Sequence, residues 1–150
     1  MRVLGLDLGS KRIGIAVSDR SGTIASPLQV LARSGSPAQD HRRIAALVAD
    51  EEAEALVVGL PLSLSGGLGP AAKGAIAEAR ALATVVGVPV LTHDERLTTV
   101  SADRALIEAG IGAQARRKHV DKVAAAVMLQ AWLDAGRPMH SVVRPPGRAG

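Results

Sequence analysis

The sequence predicts an α/β protein with a mixed sheet and helices on both faces. Two observations predict this class: residues 1–31 contain three strand patterns separated by polar turns, and the rest of the chain alternates helical patterns with strands. The run at residues 55–60 is apolar throughout, which is typical of a buried parallel strand, and residues 87–92 form another strand. The predicted sheet therefore has five strands, three in an antiparallel meander and two parallel.

The meander comes first in the chain. Its strands are predicted at residues 3–8, 13–17 and 24–31, with short polar turns between them. Pro27 interrupts the third strand and cannot donate to a neighbouring strand, so this strand is expected at an edge of the sheet.

Four helices are predicted after the meander. They are expected over residues 37–54, 71–86, from Thr98 or Thr99 to 110, and from about residue 120 onwards. The chain has no internal repeat and no second domain. We therefore expect one domain over residues 1–136, followed by a basic, proline-rich tail over 137–150 that is predicted to be disordered.

Asp7 stands out because it lies near the end of the first apolar strand. An ionised carboxylate at a buried strand costs several kcal/mol unless it is paired, hydrated or bound to a metal. Gly9 and Ser10 end the strand tightly, which would leave Asp7 at an open rim of the sheet. The alternative is that Asp7 only hydrogen-bonds the following turn.

Three acidic positions are predicted to meet at the carboxyl edge of the sheet. They are Asp7, the pair Asp94 and Glu95 after the last strand, and Asp121 at the start of the last helix. Separately, Glu95 could pair with Arg96, and Asp121 could cap the helix. Together, clustered carboxylates are stable when Mg²⁺ or Mn²⁺ neutralises them, and two such ions support phosphodiester hydrolysis.

Neighbouring side chains of Asp94 and Glu95 point in opposite directions on an extended segment, so only one of them can face the site. We expect Glu95 to face it, with Asp94 as the alternative.

Basic side chains accompany the acidic positions. A phosphate backbone could be held by them without readout of sequence: Lys11, Arg12, Arg96, Arg116, Arg117 and Lys118. The formal charge of +4 suits a polyanionic partner, although a basic, arginine-rich proteome would also explain it. A charged run is more often a solvated surface, but beside a cluster of carboxylates it favours phosphate binding. The histidines show no metal-ligand spacing, and only His119 warrants a test.

Composition excludes several classes of function. The absence of cysteine removes thiolate catalysis and cysteine-bound zinc, and the single aromatic residue, Trp132, leaves no platform for base stacking. The sequence has no long apolar run and no charged-then-apolar leader, so we expect a cytoplasmic protein without membrane contact.

Four blocks of the sequence closely resemble the YqgF family, the RuvX-like pre-16S ribosomal RNA nucleases and Holliday-junction-resolvase-like proteins. The blocks are residues 5–19 (GLDLGSKRIGIAVSD), 57–61 (VVGLP), 94–99 (DERLTT) and 121–125 (DKVAA). The resemblance spans about residues 1–135. It implies an RNase H-like fold and metal-dependent phosphodiester cleavage, with Asp7, Glu95 and Asp121 as the acidic triad.

The resemblance also implies a substrate, namely the 5′ end of precursor 16S ribosomal RNA, with branched DNA at a Holliday junction as the alternative. A non-catalytic accessory factor that binds structured nucleic acid is a further alternative. The sequence around Asp7 also resembles the first phosphate-binding loop of the actin, Hsp70 and sugar-kinase ATPases, but 150 residues cannot supply their two domains. Either a monomer or a homodimer is compatible with the sequence.

Overall fold

The computed structural model describes residues 1–61, 67–95, 113–139 and 142–145, with the backbone alone for 113–122. Its elements follow in this order: β1 (Val3–Leu8), β2 (Arg12–Ser18), β3 (Ala25–Ala32), α1 (Pro37–Asp50), β4 (Ala55–Leu60), α2 (Pro70–Leu82), β5 (Val90–Asp94), α3 (Ala113–Asp134) and β6 (Val142–Val143). The helix predicted from Thr98 or Thr99 to residue 110 lies outside the described residues.

The described strands form one mixed sheet in the order β3-β2-β1-β4-β5-β6. Strands β1, β2 and β3 are antiparallel neighbours, and β4 and β5 run parallel to β1. The predicted meander and the parallel strands are therefore confirmed. Because β1, β4 and β5 end on the same side, their ends define the carboxyl edge of the sheet.

Of the two outer strands of the sheet, β3 was predicted and β6 was not. Strand β3 has no second neighbour in the described sheet, as Pro27 predicted, and its register with β2 shifts between Ile15 and Ala16. Strand β6 pairs antiparallel with β5 and was not predicted. The predicted count of five strands is therefore wrong, and the disorder expected for the whole tail does not hold for Val142–Val143.

The helices also differ from their predicted bounds. Helix α1 ends at Asp50 rather than 54, because Glu51 closes the last turn and Glu52 takes a left-handed conformation with φ of 53°. Helix α2 ends at Leu82 rather than 86, where Val85 and Val86 both donate their backbone N–H to the Leu82 carbonyl. None of the described helices is both long and apolar enough to span a membrane.

The sheet separates two apolar clusters. On one face, Leu4, Leu6 and Val58 pack with residues of α1 and α2. On the other face, Val3, Val57 and Leu91 pack against α3. Successive strand residues alternate between these faces, so odd-numbered residues of β1, β4 and β5 face α3.

Helix α3 runs antiparallel to β1. The Leu129 side chain lies over Gly5, and the Gln130 amide accepts from the Ala25 backbone and donates to the Thr23 carbonyl near the amino end of β1. The first turns of α3 therefore lie toward the carboxyl edge of the sheet. The helix begins at Ala113, seven residues before the predicted start.

Replacing Gly5 with alanine should destabilise the fold. An added Cβ would lie 3.0 Å from the Leu129 Cβ and 3.3 Å from the Met128 Cε, and both side chains are fully buried. Such overpacking of a dense core is expected to lower the free energy of unfolding by about 1–3 kcal/mol. Urea denaturation would measure this change, and unaltered stability would show that α3 can move away from β1.

Candidate active site

Strand register brings Asp7 and Glu95 to the same place. Leu6 pairs with Val58, which puts Asp7 beside Gly59 of β4. Gly59 in turn pairs with His93, and the Glu95 N–H donates to the Leu60 carbonyl at 3.0 Å. Because Asp7, Gly59 and Glu95 are odd-numbered, all three face α3 at the carboxyl edge.

Gly59 leaves the space in which the Glu95 side chain lies. A Cβ added at Gly59 would lie 2.6 Å from the Glu95 Cγ and would also collide with the Glu95 carboxyl group. With no side chain on β4 between them, Glu95 reaches across this strand and hydrogen-bonds the Asp7 carboxyl group. A glycine in a buried strand often marks the close approach of another group. The presence of glycine at position 59 was the one signal in the sequence that this position makes room for a side chain of the site.

The two carboxyl groups form a proton-sharing pair. Burial raises the pKa of Glu95, and the hydrogen bond with Asp7 and the charges of Asp7 and Asp94 raise it further, to about 9. At neutral pH the protonated Glu95 carboxyl group therefore donates to Asp7. Two ionised carboxylates close enough to share a hydrogen bond would repel each other strongly.

Asp94, the alternative to Glu95, is the last residue of β5 and pairs with Leu60. Its even number places it on the opposite face of the strand from Glu95. Of the two candidates, the structure thus brings Glu95 into contact with Asp7.

Asp121 lies within α3, eight residues after its first residue. It therefore cannot be the N-cap of this helix, and the alternative explanation of Asp121 as a capping residue is wrong. In the helical register Asp121 precedes the buried residues Ala125 and Leu129 by four and eight positions, which puts it on the same helical stripe as these residues. The Asp121 side chain lies outside the described part of the structure.

The predicted basic residues fall into two groups. Lys11 and Arg12 are exposed in and beside the β1–β2 turn, at the carboxyl edge. The first turns of α3 contain the other group, Arg116, Arg117 and Lys118, whose side chains lie outside the described residues, as does His119. Arg96, the remaining residue predicted to bind nucleic acid, lies outside them entirely.

The carboxylate pair suits a hard divalent cation. Both groups supply oxygen ligands, and a cation would replace the shared proton and relieve the repulsion between them. Among the side chains that the structure describes, no cluster of three or more potential metal ligands occurs. Asp7 and Glu95 could therefore supply two metal ligands, and α3 contains Asp121, the residue predicted as the third ligand.

The pH dependence of stability would report the shared proton. Because the pKa of Glu95 is raised from 4.5 to about 9 in the folded protein, the folded state holds a proton that the unfolded chain has released between these values. The contribution of this proton to the free energy of unfolding is fully present below pH 4.5 and is lost as the pH rises toward 9. Without metal, the free energy of unfolding should lose about 1.4 kcal/mol per pH unit between roughly pH 5.5 and 8 through this group.

Urea denaturation in a chelator at several pH values would measure this loss, with Glu95→Gln as the reference. Burial lowers the pKa of His93 despite the opposing charge of Asp94, which gives a pH dependence of the opposite sign that both proteins share. The difference between the two proteins isolates Glu95. A difference that does not vary with pH would contradict a raised pKa for Glu95.

The same fold occurs in a solved structure, Thermus thermophilus RuvC in complex with a Holliday junction substrate. The two structures align with a TM-score of 0.58 over 95% of this chain and 99% of RuvC, at 19% sequence identity. A mixed sheet with this strand order and helices on both faces defines the class as RNase H-like. Within that class, the chain belongs to the RuvX family, described as "RuvX: Holliday junction resolvase", whose profile matches residues 1–135.

Curated relatives extend over nearly the whole chain, and three of them bear the name "Putative pre-16S rRNA nuclease". The relative from Mycobacterium sp. (strain KMS) is 47% identical over 150 residues, which cover 99% of this chain and 87% of the relative. The relative from Leifsonia xyli subsp. xyli is 48% identical over 144 residues, which cover 96% and 90%. The relative from Pelotomaculum thermopropionicum is 45% identical over 139 residues, which cover 92% and 90%.

Proposed function

We propose that this protein is a metal-dependent nuclease that processes the 5′ end of precursor 16S ribosomal RNA in the cytoplasm during ribosome biogenesis. The contact between Asp7 and Glu95 over Gly59 is the observation that carries the proposal, because a binding protein gains nothing from clustered carboxylates opposite phosphates. Membership of the RuvX family and the names of the relatives support the substrate class.

Asp7, Glu95 and Asp121 are proposed to hold the metal, Mg²⁺ or Mn²⁺. When bound, a pair of such ions supplies the charge that activates a water molecule and stabilises the leaving oxygen of a phosphodiester. Glu95 must lose its proton before its carboxylate can act as a ligand, and Asp7 accepts the hydrogen bond of that proton in the resting site.

Binding of the substrate is proposed to use the basic residues. Exposed Lys11 and Arg12 lie next to the acidic pair and would contact phosphates of the scissile strand. Arg96, Arg116, Arg117 and Lys118 are proposed to extend this surface. Substitution of any of them should weaken binding at every sequence and reduce its dependence on salt.

A resolvase acting on branched DNA is the second candidate, and the description of the family favours it. A two-fold symmetric junction would require a homodimer, whereas RNA processing is possible for a monomer.

The deciding experiment compares a precursor 16S 5′-leader RNA with a four-way DNA junction. Each is incubated with Mg²⁺, Mn²⁺ or a chelator. Metal-dependent trimming of the RNA alone would support the proposal, and cleavage of the junction alone would favour the resolvase. Binding without cleavage of either substrate would leave an accessory factor as the better description.

A further inference from the structure

Three ionisable side chains from distant parts of the chain form a network on the α1 and α2 side of the sheet. The Arg33 guanidinium donates to both carboxylate oxygens of Glu78 at 2.9 Å, and the His41 Nε2 lies 2.8 Å from the Glu78 Oε2. The exposed fraction of the side chain is only 22% for Arg33, 16% for Glu78 and 9% for His41. Such a bidentate, shielded pair is much stronger than an exposed ion pair.

Arg33 connects this network to the turn that follows Asp7. The Arg33 Nε donates to the Gly9 carbonyl at 2.7 Å, and the Arg33 backbone N–H donates to the Lys11 carbonyl at 2.9 Å. The turn itself is closed by the Gly9 N–H, which donates to the Arg12 carbonyl at 2.8 Å. It is also tight, since a Cβ at Gly9 would lie 2.6 Å from that carbonyl oxygen.

The network is anchored by both helices on this face. Asp40 of α1 accepts from the Ser34 backbone N–H at 3.1 Å and so fixes the segment beside Arg33. Burial raises the pKa of Glu78, but the hydrogen bonds from Arg33 and His41 outweigh it and leave that pKa lowered. Glu78 therefore stays ionised at neutral pH and holds the guanidinium in place.

We propose that Arg33 is a positioning residue for the active site, because its guanidinium ties the β1–β2 turn, and with it Asp7 and the neighbouring Lys11, to Glu78 of α2. This inference rests on the proposed nuclease function for its catalytic consequence. Three of the guanidinium N–H groups are committed to Gly9 and Glu78. Arg33 therefore acts on the geometry of the turn, whereas Lys11 and Arg12 contact the substrate.

Hydrogen exchange of the Gly9 amide tests the structural part without any substrate. Arg33→Lys keeps the charge but loses the planar group that bridges Gly9 and Glu78. We expect protection of the Gly9 amide to fall at least about tenfold in this variant, while core amides of α3 keep theirs. Unchanged protection of Gly9 would overturn the proposal.

Arg2→Lys is the matched control. Arg2 also forms a partly buried ion pair, with Glu51 at 2.6 Å, and the two side chains are 28% and 24% exposed. This pair lies at the amino end of β1, on the opposite edge of the sheet. Its loss should lower stability to a similar extent but leave the Gly9 amide and the activity unchanged.

Steady-state kinetics test the catalytic part. Arg33→Lys should lower kcat by about 10- to 100-fold, because small displacements of reacting groups have effects of this size. KM should rise by a smaller factor than kcat falls, because Lys11 lies in the same turn, whereas Arg12→Ala should raise KM with a smaller effect on kcat. Glu78→Gln should reproduce the kcat loss, and the double variant should be no worse than either single variant.

Each outcome distinguishes this proposal from the proposed function. If the Gly9 amide loses protection while kcat of the active enzyme is unchanged, Arg33 does not position the site and the proposal is wrong. If the wild-type protein cleaves no substrate with any metal, the proposed function fails. Loss of Gly9 protection would in that case still support the role of Arg33 in holding the turn.

Discussion

Asp7→Asn is expected to reduce metal-dependent cleavage at least about 1,000-fold, because it removes one of the three carboxylates that are proposed to hold the metal. Asparagine has nearly the same shape, so the fold should be retained. It also removes the negative charge that helps to raise the pKa of Glu95. Single-turnover cleavage of the 5′-leader RNA would measure the loss.

Nucleic-acid binding separates the roles of Asp7 further. Without the charge of Asp7, repulsion of phosphates falls, so affinity measured in a chelator should be unchanged or higher. A fall in affinity that occurs only when Mg²⁺ is present would mean that the metal is required for recognition, and the proposed division between acidic and basic residues would be wrong.

Asp19→Asn is the matched control, because it makes the same change of charge at the opposite edge. Asp19 accepts from Ser21 and from the backbone of Thr23 and Ile24, bonds that hold its pKa at about 2. This variant should perturb the β2–β3 turn and leave cleavage unchanged. Equal loss of activity in both variants would point to a general effect of charge.

The approach of Asp7 to the residues that follow β5 was predicted in part from information that is local in the sequence. Each strand has a period of two, and the parallel strands end at one edge, so Asp7 and one of the pair Asp94 and Glu95 are expected at the same rim of the sheet. The choice of Glu95 over Asp94 came from the resemblance to the family, because it depends on the register of β4 and β5, which no local pattern encodes. By contrast, Pro27 marked β3 as an edge strand without any knowledge of its neighbours.

Other features depend on contacts that no local pattern encodes. Strand β6 consists of two valines among prolines and basic residues, too short to show alternation, and its pairing with β5 creates it. Arg33 contacts Gly9 and Glu78, which are 24 and 45 positions away from it in the sequence. These contacts are therefore visible only in the fold. Helix α3 starts early because charged residues such as Arg116 and Arg117 continue a helix without extending its apolar stripe.

Gly59→Ala is expected to reduce kcat about 100-fold without unfolding the protein. The added Cβ would occupy the space of the Glu95 side chain, which is flexible and can rotate away, so the cost in folding is small. Once displaced, Glu95 no longer reaches Asp7, and a shift of about 1 Å in a metal ligand is enough for such a loss. Steady-state cleavage and the melting temperature would be measured together.

Gly74→Ala provides the control for Gly59→Ala. Gly74 lies in α2 with open space around the position of a new Cβ, so alanine should raise stability by about 1 kcal/mol and leave cleavage unchanged. Gly59→Ala should also abolish the pH dependence of stability that Glu95 confers on the metal-free protein, because that dependence requires burial beside Asp7. If Gly59→Ala cleaves at the wild-type rate, the position of Glu95 over β4 has no part in catalysis, and another carboxylate must act beside Asp7.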